Sequence, residues 1–396
     1  MPTDSLNQSN TSASPQVRRA DQSDLVDLAA PAKVTHLPFL DVLRGVAILS
    51  VFLYHSLGTA IGYYNQPWKG TFPDFSAAGT YWPLFPLTLG SCGVAIFFVV
   101  SGFCIHLSHY RSKGESWRAF AVKRFFRLYP PYLLALSVFY LSWPWRTYSL
   151  SSPGWRHQFW THFFLIHNIE PGTAFGINGS LWSIAIEVQL YLIYPLLLLM
   201  VAIVGWRYSL GILFLLELSI RMSIIPGISA FDSLHLSPLG YWFSWSLGAY
   251  LAHLYLNKSF LRFNVWYLYF SIMMVSLAYL VHPLEKFQFM AVALLTSVVI
   301  WREIYYLYSK PSKFSWTPFL RHLTALGTVS YSFYLIHQPF LLLVQRLNSG
   351  FKSISFDPIF LLFLCFVMYF LLFNLSKILY SWVELPFAAI GKRLAA

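Results

Sequence analysis

Charge is scarce in this sequence. Of 396 residues only 11% are Asp, Glu, Lys or Arg, less than half of the roughly one quarter with which a soluble domain covers its surface. That shortage excludes a water-soluble fold for most of the chain. Acidic residues are the scarcer sign, 15 against 27 Lys+Arg, for a formal charge of +12. Such a surplus serves nucleic-acid binding only as a solvent-facing patch. Here it lies in short blocks between apolar runs, so no nucleic-acid partner is expected. Cysteine is nearly absent: Cys92, Cys104 and Cys365 all fall inside apolar runs, with neither a CxxC pair nor metal-like spacing. Neither a disulfide framework nor a metal site is expected, and the three thiols read as small buried residues.

What is present is apolar. Hydrophobic residues make up 57% of the chain and mean hydropathy is +0.56, with 15 Trp and 25 Tyr to populate the aromatic belts at two bilayer interfaces. Residues 1–36 are rich in Ser, Asn, Gln, Asp and Ala and read as a disordered cytoplasmic tail, without the hydrophobic core of a signal peptide. Apolar segments then follow one another. Those near the ~20 residues that a crossing requires are about 39–60, 88–108, 129–143, 181–204, 209–226, 239–257, 264–282, 286–306, 326–347 and 359–381. The third is short and starts at Pro130-Pro131, and the patch from Phe159 to Ile166 is too short to cross. The expected fold is an all-α polytopic membrane protein of about ten transmembrane helices. With the N-terminus inside, 18 of the 27 Lys and Arg residues fall on the cytoplasmic side, six outside and three within spans. That bias favours ten crossings with both termini cytoplasmic. Two connections are long, a basic inner one at 109–128 and an outer one at 144–180 rich in Trp, His and Gly.

Ionisable side chains within spans are costly and therefore candidates for function. The first span carries Arg44 and His55. Eleven helical steps make three turns and about 20°, so both side chains share one face, roughly 16 Å apart along the axis. Asp41, three residues before Arg44, is spaced to pair with it. Arg44 also reads as an ion-paired topology anchor, and His55 as a histidine tied to a neighbouring carbonyl. Glu187, in SLWSIAIEVQLYLIYP, lies at a depth similar to that of His55, where a carboxylate is suited to orient an imidazole for acid–base chemistry. Its plainer reading is a helix-packing hydrogen bond. His337, in YSFYLIHQPF, reads equally as cavity lining and as packing. Glu217 and Arg221, spaced i, i+4, are expected to satisfy each other. At the inner mouth KRFFRLYPPY places Arg124 and Arg127 three apart, either as a topology signal or as a phosphate site that suits arginine's fork.

Taken together these stretches resemble acyltransferase family three, integral-membrane O-acyltransferases whose bacterial members modify cell-envelope carbohydrates. The resemblance runs in order over about residues 37–392. FLDVLRGVAILSVFLYHS is similar to the family's first helix with its Arg-x10-His motif, on Arg44 and His55. GVAIFFVVSGFCI resembles the second helix, including Ser101, and KRFFRLYPPY the arginine pair with Tyr-Pro, on Arg124, Arg127, Tyr129 and Pro130. SLWSIAIEVQLYLIYP carries Trp182, Ser183, Glu187 and Tyr191, and LGTVSYSFYLIHQP and VELPF match the closing pieces. The family often has a second acid after the one at Glu187, where this chain has Val188. Many members also carry a C-terminal esterase-like extracytoplasmic domain, and this chain is expected to close after its tenth span.

The resemblance implies a transmembrane acyltransferase domain over 37–392. It would move an acyl group, most often acetyl from acetyl-CoA, from a cytoplasmic acyl-CoA to a hydroxyl of an exported or lipid-linked carbohydrate. No permanently bound cofactor is implied. His55 and Glu187 would be catalytic, with Glu187 holding the tautomer of His55. Arg44, Arg124, Arg127 and Ser101 would bind the donor, and Asp41, Trp182, Tyr191 and His337 would line the cavity. His55 would act as general base on the acceptor hydroxyl or take the acyl group itself and relay it; both routes stay open. The rival classes are a transporter or flippase of a lipid-linked saccharide, disfavoured by the lack of a visible inverted repeat, and a membrane scaffold, disfavoured by the polar groups inside spans.

Overall fold

Prolines and small polar residues start many of the helices. A computed structural model describes residues 37–63, 66, 83–112, 116–142, 152–170, 172–223, 234–259, 262–309, 317–350 and 357–396. The expected tail at 1–36 lies outside the described residues. The helices are α1 (Pro38–Ile61), α2 (Gly93–Arg111), α3 (Trp117–Ser142), α4 (Pro153–Phe163), α5 (Trp182–Met222), α6 (Trp242–Asn257), α7 (Val265–Leu280), α8 (Gln288–Ser309), α9 (Pro318–Thr328), α10 (Ser330–Gly350), α11 (Pro358–Leu379) and α12 (Leu385–Leu394). Proline opens α1, α4, α9 and α11, where its missing N–H would have no helical partner anyway. Ser152, Asn264, Thr317 and Asp357 each accept a backbone N–H at the start of their helix, satisfying one orphaned donor.

Among the described residues every long element is helical, and five helices are long and apolar enough to cross a membrane: Pro38–Ile61, Phe85–Arg111, Trp182–Met222, Pro283–Ser309 and Pro358–Leu394. α7 is a shorter apolar helix. Leu192, Ile203, Trp266, Ile359 and Trp382 are each at least 70% exposed, apolar surface of the kind that a lipid environment covers.

Several expected boundaries move. The segments at 181–204 and 209–226 form one helix, α5, broken only at Gly205, whose φ of 79° interrupts the helical geometry. The expected span 326–347 divides at Val329 into α9 and α10. The third span does not start at Pro130-Pro131. Instead α3 begins at Trp117 and continues through both prolines, so most of the basic 109–128 connection is helical. Two prolines remove only the donors to the carbonyls one turn earlier, a loss that a packed membrane helix tolerates. The Phe159–Ile166 patch contributes the end of α4, which is far too short to cross.

Two close helix crossings hold the centre. A Cβ on Gly102 of α2 would meet the Trp245 carbonyl oxygen at 2.0 Å, and one on Gly248 of α6 would meet the Val99 oxygen at 1.8 Å. The two backbones touch through reciprocal glycines, which is how membrane helices approach closely. Gly45 of α1 and Gly327 of α9 make the second crossing, against the carbonyls of Leu323 and Asp41. That contact lays the Asp41–Arg44 turn of α1 against the end of α9, just ahead of α10.

Candidate active site

A cavity of about 790 Å³ opens between α1, α2, α3, α5, α10 and α12. It collects most of the residues singled out in the sequence. Asp41, Arg44, Ser101, Arg124, Arg127, Glu187 and Tyr191 all line it. Arg44 Nη1 donates to Asp41 Oδ1 at 2.7 Å and Nη2 to Cys104 Sγ at 3.0 Å. The spacing of three on α1 thus forms the expected pair. Arg124, on α3, donates to Ser108 Oγ at 2.7 Å and lies over the Phe120 ring. Lys123 and Lys392 join Arg44, Arg124 and Arg127 on the wall, against the acids Asp41, Glu187 and Glu384. The excess of cations is concentrated where α3 and α12 meet, giving that end of the cavity the electrostatics of an anion site.

Glu187 is held inside the cavity. Ser101 Oγ donates to Glu187 Oε1 at 2.7 Å, and the Tyr191 hydroxyl donates to the same oxygen. Trp245 Nε1 approaches Ser101 Oγ at 3.4 Å. The expected partnership with His55 is not formed. The reason is helical phase and tilt: similar depth along two helices does not make their faces meet, and α2 presents Ser101 to Glu187 first. Trp182 likewise packs against Tyr241, ring centroids 5.9 Å apart, and is not among the cavity-lining residues.

His55 sits with a different group. Its Nδ1 lies 2.8 Å from the Tyr63 hydroxyl, and its ring centroid is 5.3 Å from that of His337. His337 is fully buried. Its Nδ1 donates to the Tyr334 carbonyl at 2.8 Å, because a carbonyl can only accept, which leaves Nε2 as the unprotonated nitrogen of the neutral ring. Ser180 Oγ lies 3.4 Å from that Nε2 but donates to Gln338 Oε1 at 2.6 Å. Gln338 in turn lies close to Tyr63. A chain of polar contacts therefore links His337 through Ser180, Gln338 and Tyr63 back to His55.

Proline places this group. Pro339 lies inside α10 and has no N–H for the Leu335 carbonyl. Asn178 Nδ2 donates to that carbonyl at 2.9 Å, which brings the neighbouring Ser180 onto His337 and Gln338. Tyr334 lies between the two sites. It lines the cavity, its hydroxyl is 2.7 Å from Ser183 Oγ, and its ring stands 5.3 Å from that of His337.

Sequence reasoning did not single out Glu384, Tyr63, Ser180, Gln338 or Tyr334. Glu384 is buried, accepts from Ser332 Oγ at 3.0 Å and sits on a π-helical turn at Tyr380–Glu384, a bulge of a type frequent at functional sites. Its position within VELPF was the available signal. Gln338 follows His337 directly and Ser180 precedes the Trp182–Glu187 stretch, so both lay next to residues already chosen. Tyr63 had no signal beyond being aromatic. Glu217 and Arg221 do satisfy each other, at 3.1 Å, with Ser244 and Gly240 completing a buried structural cluster. No cluster of three or more His, Cys, Asp or Glu able to hold a metal occurs among the described residues.

A family model described as an acyltransferase domain matches residues 37–380. Among characterised and named proteins, the chain is similar to the peptidoglycan O-acetyltransferase OatA of Listeria monocytogenes, 29% identical over 181 residues that cover 41% of this chain and 24% of that protein. YrhL of Bacillus subtilis, named as a candidate peptidoglycan O-acetyltransferase, is 30% identical over 179 residues, 41% of this chain and 24% of its own length. A Staphylococcus aureus (strain COL) protein named as a candidate O-acetyltransferase is 28% identical over 199 residues, 46% and 28% of the two chains. The matched stretches span about a quarter of these relatives' lengths. No solved structure matches the chain. The stretch covered by the family match holds the Arg44–Asp41 pair, the Ser101–Glu187–Tyr191 contact and the His55–His337 pair, and the chain belongs to the acyltransferase-domain family.

Proposed function

We propose that the chain is a membrane O-acyltransferase, within that class an O-acetyltransferase, taking its acyl group from acyl-CoA at the cytoplasmic face and delivering it to a hydroxyl of an extracytoplasmic carbohydrate. The observation that carries this reading is one alignment. A cavity with Arg124 and Arg127 at its cationic end leads to Tyr334, and the His55–His337 pair lies directly behind that ring. A phosphate-bearing thioester donor needs the first feature and a hydroxyl acceptor needs the second. The relatives' names point to a peptidoglycan-type envelope polysaccharide as the acceptor class. Ten crossings with both termini cytoplasmic, in the plasma (inner) membrane, complete the proposal. The 18-to-6 division of Lys and Arg supports that topology, as does the break of α5 at Gly205 into two span-length pieces.

In the proposed reaction the cations hold the donor's phosphates, for which the arginine fork is suited. With the Tyr63 hydroxyl at Nδ1, the second ring nitrogen of His55 is the reacting atom. In direct transfer it takes the proton of the acceptor hydroxyl while the C–O ester bond forms and the thioester C–S bond breaks; the proton then goes to the departing thiolate. In the relay the same nitrogen first carries the acyl group. Glu187, bonded to Ser101 and Tyr191, belongs to the donor side in this scheme.

The test is transfer of labelled acetyl from acetyl-CoA to envelope carbohydrate by membranes with and without the chain. Label that appears only with the chain, and that is lost in His55→Ala at equal expression, is the expected result. Movement of a lipid-linked saccharide across the membrane without acetylation would instead establish the transporter class.

A further inference from the structure

We infer that Phe97 and Tyr334 narrow the far end of the donor cavity, where it borders the histidine pair, to a constriction that passes only a short, uncharged acyl group toward His55, so that acetyl is admitted while succinyl and long acyl chains are refused. This inference rests on the acyl-transfer reading above.

The cavity runs along one face of α2, from Ser112 and Ser108 at the cationic end to Phe97 and Val94 at the other. Fifteen residues separate Phe97 from Ser112, about 22 Å of helix. A donor with its phosphates at the cationic end therefore presents its acyl terminus to the Phe97 end. There the wall changes character. Phe97, Phe98, Ile184 and Tyr334 form it, and its polar atoms already have partners. The Tyr334 hydroxyl is 2.7 Å from Ser183 Oγ, which itself reaches the Ser180 carbonyl at 3.3 Å. Arg44, the cation nearest this end, is engaged by Asp41 and Cys104. The terminal carboxylate of a succinyl group would thus be buried without a counter-ion, which is strongly unfavourable.

The wall is also stiff. Phe98 is buried, edge-on to Tyr241 at 5.4 Å and to Phe289 at 5.6 Å. Tyr334 is pinned by Ser183 on one side and backed by His337 on the other, and it meets Phe97 edge-on at 6.0 Å. A longer chain would have to push Tyr334 into the histidine pair. Phe97 is the half-buried member of the wall, and its removal opens space without touching the polar contacts.

The experiment measures kcat/KM with acetyl-, butyryl-, hexanoyl- and succinyl-CoA for the full chain in native membranes, and for Phe97→Ala and Phe97→Leu. Wild type should favour acetyl over hexanoyl and over succinyl by at least about 100-fold, the scale on which an apolar pocket discriminates by size. Phe97→Ala should raise the hexanoyl-to-acetyl ratio at least about tenfold, with Phe97→Leu between, and neither should admit succinyl. Because each variant is read as a ratio of two donors, partial loss of folded protein cancels. Wild-type transfer of succinyl at the acetyl rate, or ratios unmoved in both variants, overturns the inference while leaving acyl transfer intact. Transfer of no acyl group from any of the four donors by wild type overturns the acyl-transfer reading, and this inference with it.

Discussion

The imidazoles of His55 and His337 face each other with centroids 5.3 Å apart, brought together from helices α1 and α10, whose sequences are nearly three hundred positions apart. Their hydrogen bonds differ: His55 meets a tyrosine hydroxyl and His337 a backbone carbonyl. The His337 ring is thereby fixed in one tautomer, while that of His55 can exchange a proton with Tyr63. A reacting residue beside a fixed one is the division of labour expected of the pair.

His55→Ala should lower acetyl transfer by about 10²–10⁴-fold, the range associated with a lost acid–base group. His337→Gln, which cannot reproduce both contacts of the ring, should lower it less, by about tenfold. Labelled transfer normalised to folded protein in detergent checks both. Equal losses would make the two rings a single functional unit, and full activity in His55→Ala would remove His55 from the chemistry.

Arg127→Ala should raise the KM for acetyl-CoA about tenfold, equivalent to one charge-assisted phosphate contact of about 1.4 kcal/mol, with kcat little changed. Arg124→Ala should do the same, with an added loss of stability from its contacts to Ser108 and Phe120. Initial rates over a range of donor concentration separate binding from turnover. An unchanged KM in both variants would return the two arginines to the role of topology signals.

Glu217→Ala should destabilise the fold by about 3–5 kcal/mol, because it leaves Arg221 as an uncompensated buried charge. The Ser244 amide and hydroxyl lose their acceptor in the same step. Thermal unfolding in detergent measures the shift. A melting temperature equal to that of wild type would show that the Arg221 contacts to Gly240 and to the Tyr241 and Phe289 rings suffice.

The connection between α3 and α5 should loosen in acid. His162 and His167 stack there at 3.9 Å, both fully buried. Burial pushes His162 down to about 4 and His167 well below the usual histidine range. Both rings are neutral in the fold, whereas unfolded histidine takes up a proton near pH 6.5. The unfolded state binds more protons between those values, so stability is full above about pH 6.5 and falls as pH drops toward 4. Limited proteolysis within 152–181 as a function of pH reads this directly. Replacing both residues with Asn should flatten the profile, and a flat wild-type profile would count against it.

Much of the arrangement was readable beforehand, and each success has a local cause. Arg44 and Asp41 pair because three helical steps bring their side chains together. Glu217 and Arg221 pair for the same reason at four. Helices α6, α7, α8 and α11 lie within a few residues of their expected bounds, since an apolar run of the right length has few alternatives. The failures are also physical. Pro130-Pro131 has the local signature of a helix start, but a packed helix carries two prolines when only two carbonyls lose a donor. Val329 divides an apolar run that hydropathy alone cannot divide.

The chain's own composition and spacing determined that it is an apolar, predominantly helical protein, that only a few charged residues fall within its long apolar runs, and that Arg44 and His55 share a face of α1. These are properties of single segments, set by hydrophobicity and by 3.6 residues per turn. Tertiary structure alone decided the partners. It gave Glu187 to Ser101 and Tyr191, gave His55 to Tyr63 and His337, and set Tyr334 between the two groups. Such pairings depend on where Gly45, Gly102, Gly248 and Gly327 let helices cross and on how Pro339 bares a carbonyl for Asn178. Helix phase and crossing geometry are sums over many long-range contacts, and no local pattern of residues encodes them.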